Sequence, residues 1–138
     1  MKTNQLLSFA LLLLLISCGD KKPSAREALY DHVIAAHDEI MVKMSDIMKY
    51  KKQLNGQIDE WREDGGDSVK IAKAEAAIAD LEESHEEMMN WMRGFDNNFE
   101  GKVNEEVMAY LNDQKQRIEA VGQLTNEALK NAEEALAE

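Results

Sequence analysis

The stretch 33–61, VIAAHDEIMVKMSDIMKYKKQLNGQIDEW, repeats an apolar residue every seven positions: Val33, Ile40, Ile47, Leu54 and Trp61. A second line, Tyr30, His37, Met44, Lys51 and Ile58, runs beside it with the same period. Seven residues are close to two helical turns, so both lines fall on one side of a helix and form a coiled-coil-like seam. The repeat crosses Asn55-Gly56 without slippage, which predicts one unbroken helix to the breaker Asp64-Gly65-Gly66-Asp67.

Upstream of this stretch, Ser24-Ala25-Arg26-Glu27 has the spacing of a capping box and should open this first helix. A second helix starts at Asp67 or Ser68, either of which can cap it. Its expected seam is Ile71, Ile78, His85 and Met92, interleaved with Ala74, Leu81, Met88 and Phe95. Gly94 to Gly101, rich in Asn and Gly, reads as a loop. A third helix follows, with Val107, Gln114, Val121, Ala128 and Leu111, Ile118, Thr125, Ala132 on its seam. Small residues dominate its far half, where packing should be close and less stable.

Three long amphipathic helices on two short connections make neighbours antiparallel. The expectation is an all-α, up-down-up three-helix bundle over 24–138, with helices at about 24–64, 67–95 and 103–137 and coiled-coil-like heptad packing. The alternative is a hairpin pair with a third helix that assembles with other chains, because heptad seams also specify oligomers.

The N-terminus has a different character. Met1 to Gln5 carries one lysine and no acid, and Leu6 to Ile16 is an eleven-residue apolar run. That is short of the roughly 20 residues that span a bilayer, but it suits a secretory leader. Leu15-Ile16-Ser17-Cys18 closes the run and resembles the bacterial lipobox, whose cysteine is acylated and becomes the mature first residue. Residues 1–17 are therefore read as a lipoprotein signal peptide and 18–23 as a lipidated tether. Cys18 is the single cysteine of the chain, so no internal disulfide can form. Acyl chains contribute about 0.8 kcal/mol per buried CH₂, which makes two or three of them an essentially permanent membrane anchor. The tether, at no more than 3.6 Å per residue, keeps the bundle within some 20 Å of that membrane.

Cleavage at Cys18 leaves 15 basic and 27 acidic residues, a net charge of −12. Nucleic-acid binding needs Lys and Arg to neutralise phosphate, so this balance argues against it. It argues equally against docking the body on anionic lipid, and it keeps a tethered domain soluble.

A recurrence inside the seams singles out one region. HDEIMVKM at 37–44 returns 48 positions later as HEEMMNWM at 85–92. Folding the chain at turn centres near residues 65 and 98 places His85 level with about Asp46 and Asn112, and His37 level with about Gly94 and Val103. The two histidines then stand about 14 Å apart along the axis and cannot share one ion. Apart from Met1, every methionine falls in this zone, and Trp91, Phe95, Phe99 and Tyr110 lie toward one end of it.

Three readings of the zone stand open. One is a closed core in which Met replaces Leu and each His is buried and hydrogen-bonded. Another is a soft-metal, copper-type site on His37, Met41 and Met44 together with His85, Met89 and Met92, since imidazole and thioethers suit Cu(I). The last is a groove of Met41, Met44, Met48, Met88, Met92, Phe95 and Met108 that takes another helix or an unfolded segment.

Catalytic patterns are wanting. Glu82-Glu83-Ser84-His85 holds a single Glu-x-x-His, whereas carboxylate-bridged di-iron sites need two copies and two further inward carboxylates. His-x-x-x-His does not occur, Gly65-Gly66 is a turn and no phosphate loop, and no Ser or Thr sits in a nucleophile context. The chain reads as no enzyme and calls for no cofactor. It reads as a lipid-anchored interaction or scaffold module of the cell envelope, with a protein partner or a second copy of itself as its company and no nucleic acid.

HDEIMVKMSDIMKYKKQL, MMNWMRGF and YLNDQKQRIEAVGQLTNEAL also resemble small lipoproteins of Gram-negative bacteria grouped as viral A-type inclusion protein. That label reflects generic coiled-coil similarity and carries no viral function. The resemblance covers nearly the whole mature chain and implies a lipid-anchored helical protein of the envelope, the outer membrane being favoured. It brings no catalytic or ligand residue with it. Val42 stands where the family pattern leads one to expect proline, which implies a straighter first helix here.

Overall fold

Ser24 opens the first helix with both halves of the capping box in place. Its Oγ accepts from the Glu27 N–H at 3.2 Å, and Glu27 Oε2 accepts from the Ser24 N–H at 2.7 Å. Two helix donors that would otherwise go without partners are thereby satisfied. These hydrogen bonds from the Ser24 backbone and hydroxyl hold the Glu27 carboxyl below its ordinary range. The helix, α1, runs Ala25–Glu63 without interruption. It ends in a Schellman turn: Gly65 takes φ +69°, and the Gly66 N–H reaches back to the Trp61 carbonyl. A Cβ on Gly66 would come within 2.6 Å of that carbonyl oxygen, so glycine is required there on steric grounds.

The computed structural model describes residues 23–138; the leader 1–17, Cys18 and most of the tether lie outside the described residues. Asp67 caps the second helix, α2, Ser68–Gly94, by accepting from the Val69 N–H at 2.7 Å. The third, α3, spans Asn104–Leu136 and has no side-chain cap. Each helix bound falls one residue inside the expected one. All three helices pack on one another, with α1 and α3 parallel and α2 antiparallel to both. No helix among the described residues is long and apolar enough to cross a membrane.

Burial follows the heptads closely in α1 and α3. Val33, Ile40, Ile47, Leu54 and Ile58 are buried, while Trp61 is half-buried where the helix meets its turn. All eight expected seam positions of α3 are buried, and Ala135 joins them. The α1–α3 contact is close at Gly122, where an added Cβ would lie 3.6 Å from Ile40 Cδ1.

In α2 the buried stripe is turned by one residue from expectation. Ala77, Ser84 and Trp91 join Ala74, Leu81 and Met88 in the core, whereas Ile71, Ile78, His85 and Met92 stand half-buried on the flank. The cause lies in the partner helix. Ser84 Oγ and Thr125 Oγ1 are 2.8 Å apart in the dry interior, and Thr125 also donates to the Val121 carbonyl at 2.9 Å. A hydroxyl paired in this way can take a core position that its polarity would otherwise forbid.

The core divides into two clusters along the axis. One end, with Ile47, Leu54, Ile58 and Leu81, is completed by Ala74, Ala77, Ala128, Ala132 and Ala135, so the two later helices approach closely and α1 supplies the bulk. The other end holds Val33, Ile40, Met88, Trp91, Ile118 and Val121. Met44 packs against both clusters and joins them.

The second connection overturns the expected register between α2 and α3. Ser84 bonds Thr125 and Asp80 bonds Asn131, so His85 stands level with about Leu124, three turns from the expected Asn112. The reason is that residues 95–103 form a strap and not a tight turn. Phe95 leaves α2 in extended conformation (φ −80°, ψ 116°), and the chain then climbs beside the first turns of α3. About five residues at 3.3 Å cover the same roughly 16 Å as about eleven helical residues at 1.5 Å. Near the N-terminus of α1 the strap therefore takes the place of α2.

Gly56 lies mid-helix and exposed, and a methyl group there would meet nothing within 4 Å. Gly56→Ala is expected to raise stability by about 1 kcal/mol, because alanine loses less backbone entropy on entering a helix. Urea unfolding followed by circular dichroism measures the gain, and an unchanged midpoint would refute it.

Candidate functional site

The strap end of the bundle is built on rings. Trp91 stacks on Phe95 with centroids 4.8 Å apart, and Phe95 lies 6.4 Å from Tyr30 and 6.1 Å from Tyr110. Phe99 packs edge-on to Tyr30 at 6.1 Å and also meets Tyr110 at 6.1 Å. Each offset or edge-on pair adds about 0.5–1.5 kcal/mol beyond the area it buries. These rings come from every element at this end, so one cluster joins the start of α1, the end of α2, the strap and the start of α3.

Polar bonds hold the strap in its path. The Tyr110 hydroxyl accepts from the Asp96 N–H at 2.6 Å. Asp96 Oδ1 accepts from the Asn98 N–H at 2.8 Å and its Oδ2 from Lys102 Nζ at 2.9 Å, while Asn98 Oδ1 accepts from the Glu100 N–H at 3.1 Å. Gly101 turns the chain with φ +75° into α3. The Lys102 ammonium, followed by the Asn98 N–H, holds the Asp96 carboxyl below its ordinary range.

The strap thus binds the charged form of Asp96. That contribution is present above the ordinary carboxylate range and is lost as pH falls through the lowered value. Hydrogen-exchange protection at Asn98 and Lys102 is expected to drop as pH falls below about 4, and Asp96→Asn should show the same loss at neutral pH. Protection that survived complete protonation would contradict this.

The recurrent segments meet along the edge between α1 and α2, beside the ring cluster. Arg62 pairs with Glu75 at 2.7 Å, Lys51 with Glu82 at 2.8 Å, and the His37 ring lies 5.7 Å from that of Trp91. These contacts confirm a turn centre near residue 65 and set 37–44 directly alongside 85–92, head to tail. His37 then lies across from Met92, and Met44 across from His85. Trp91, level with His37, is six residues beyond His85, so the histidines are about 9 Å apart along the axis, closer than the expected 14 Å and still too far for one ion.

The methionines do not form a single layer. Met88 is fully buried, and Met44, Met89 and Met92 are half-buried against the core. Met41 and Met48 are 38 % and 58 % exposed on the outer edge, beside Val42 at 76 %. Met108, half-buried on α3, belongs to the strap end, about 25 Å along the axis from Met41. Of the residues proposed as a groove, Met41, Met44, Met48 and Met92 share the α1–α2 edge, Met88 lies beneath it, Phe95 is in the ring cluster and Met108 stands apart. The separation of Met108 follows from the strap, which carries the start of α3 well past the end of α2.

Of the six soft-donor candidates, His37, Met41 and Met44 come from α1 and His85, Met89 and Met92 from α2, and all six reach that edge. The His37 side chain is 25 % exposed, and its Nδ1 lies 2.8 Å from Asp38 Oδ1. His85 is half-buried. Periodicity does not reveal the Asp38 contact, since adjacent helical residues normally point apart. No family model, curated protein or solved structure matches this chain. Among the described residues no three His, Cys, Asp or Glu side chains stand together where they could hold a metal ion.

Proposed function

We propose that this chain is a lipid-anchored protein of the Gram-negative cell envelope, its bundle held outside the cytoplasm, with the outer membrane favoured. Its work is that of a non-enzymatic interaction or scaffold module. The observation that carries the reading is Leu15-Ile16-Ser17-Cys18 at the end of an apolar leader, six residues ahead of the capped start of α1. The resemblance to the small envelope lipoproteins supports the same reading.

Anchored through Cys18, the bundle stands with its strap and ring cluster toward the membrane and the Ala-rich end away from it. The acidic surface keeps the body in solution. Met41, Val42 and Met48, exposed on α1, supply apolar contact area for a protein partner or a second copy.

Intact-mass spectrometry of the mature protein tests the anchor: acylated Cys18 is expected at the N-terminus, and an unmodified N-terminus would remove the reading. Crosslinking in envelopes followed by detergent extraction tests the interaction. A partner, or a second copy, should be recovered with the wild-type chain and lost with a Val42→Asp/Met48→Asp variant. Recovery of the uncrosslinked chain alone would count against a scaffold.

A further inference from the structure

The fold gives the twin segments a reciprocal arrangement. Positions 41, 48, 55 and 62 are spaced by sevens on α1, and Arg62 pairs with Glu75; positions 75, 82 and 89 are spaced the same way on α2. Met41 and Met89 therefore stand on the two faces that this ion pair joins, at the solvent edge of the seam. One step further in, His37 lies across from Met92. An imidazole and two thioethers from His37, Met41 and Met92 thus approach one stretch of the edge from both helices.

Three features of this stretch suit a ligand set better than plain packing. His37 is oriented: Asp38 Oδ1, 2.8 Å from Nδ1, can only accept from it, so in the neutral imidazole Nε2 is the nitrogen that carries the lone pair. A carboxylate bonded in this way to the ring nitrogen that faces away from a metal fixes the tautomer and raises the basicity of the imidazole. The Trp91 ring lies 5.7 Å from that of His37, so an electron-rich aromatic face borders the stretch. Met41, at 38 % exposed, gains little from burial, yet it sits one turn from His37 on the same side of α1. With His37 and Met41 both partly exposed, the stretch is open to an incoming ion.

We propose that His37, Met41 and Met92 form a binding site for a soft monovalent cation of the Cu(I) class, with Asp38 positioning the imidazole. Neutral nitrogen and thioether donors favour a soft ion over Mg²⁺ or Ca²⁺, which take oxygen ligands. The mirror set His85, Met89 and Met44 has the same donor types. His85, however, has no carboxylate bonded to it among the described residues, and Met44 is held between the two core clusters. The site shares only Met41 with the docking face of the anchored-scaffold reading, and the Cu(I) titration tests it separately from that reading.

Anaerobic titration of the purified full chain in detergent with Cu(I), against a chromophoric chelator, tests the site. A single equivalent should bind more tightly than micromolar. His37→Gln and, separately, Met92→Leu should weaken it by tenfold or more, and Asp38→Asn by about tenfold. His85→Gln should leave it unchanged. Met92→Leu conserves volume and His37 is on the flank, so both variants should keep the helical circular-dichroism signal. In Trp61→Phe, Cu(I) should quench the emission of the remaining Trp91. Affinity weaker than micromolar, indifference to both His37→Gln and Met92→Leu, or loss on His85→Gln would overturn the proposal.

Discussion

Trp91→Ala is expected to cost about 3–5 kcal/mol of folding free energy, a third or more of what a domain of this size commonly has. Trp91 is only 3 % exposed and belongs to the core cluster with Val33, Ile40, Met88, Ile118 and Val121. It is also the inner end of the ring chain through Phe95 to Tyr30 and Tyr110. Truncation therefore removes apolar burial, stacking and the support of the strap together. Trp91→Phe separates these contributions. The indole Nε1 is buried and has no hydrogen-bond partner among the described residues, so losing it removes a desolvated donor and no bond described there. Phenylalanine keeps a ring against Phe95 and His37, and its cost should be clearly smaller. Urea unfolding of both variants decides the matter, with Trp61 as the remaining fluorophore. Equal costs would mean that the ring stack contributes nothing beyond a large side chain.

The heptad repeat of α1 and the seams of α3 were legible because their core residues are apolar and regularly spaced, so hydropathy and burial coincide. In α2 they diverge. Ser84 occupies the core because Thr125 faces it, and that pairing is a property of two helices, invisible in the pattern of one. The aromatic Trp91 lay in view but one position off the expected line, since His85 and Met92 kept the apolar period running on the neighbouring face. The strap was hidden for another reason. Asp96, Asn98 and Gly101 look like the residues of any loop, and only Phe95 and Phe99 within it hint that the segment packs. Its length in space depends on extended conformation, which shifted the α2–α3 register by three turns, while the α1–α2 register, set by a tight Gly-Gly turn, came out within one turn of expectation. The twin His-Met segments were found from sequence; that they lie reciprocally at an open edge, with Asp38 beside His37, needed the register.

Leu81→Ala should fall near the top of the range for leucine truncations, at about 4–5 kcal/mol. The cost of a cavity depends on how far its walls can close, and here the walls are short and stiff. Leu81 is fully buried in a cluster whose other buried α2 and α3 members are Ala74, Ala77, Ala128, Ala132 and Ala135, with Ile71, Ile78, Leu129 and Leu136 only at its margin. Alanines have no side-chain torsion with which to fill the space, and α1 is held in place by Tyr50, whose hydroxyl donates to Glu133 at 2.8 Å, and by the Lys51–Glu82 pair. The same reasoning predicts a rescue. Ala128 stands level with Leu81 by the register of the Ser84–Thr125 and Asp80–Asn131 bonds, so Ala128→Leu alone overfills the layer and costs about 1–3 kcal/mol. Combined with Leu81→Ala, it returns the missing volume from the opposite helix, and the pair should be more stable than Leu81→Ala alone. A double-mutant cycle by urea unfolding reads the coupling directly. Additive costs would mean that the two side chains do not share a layer, and that the α2–α3 register is wrong at the end where the helices pack closest.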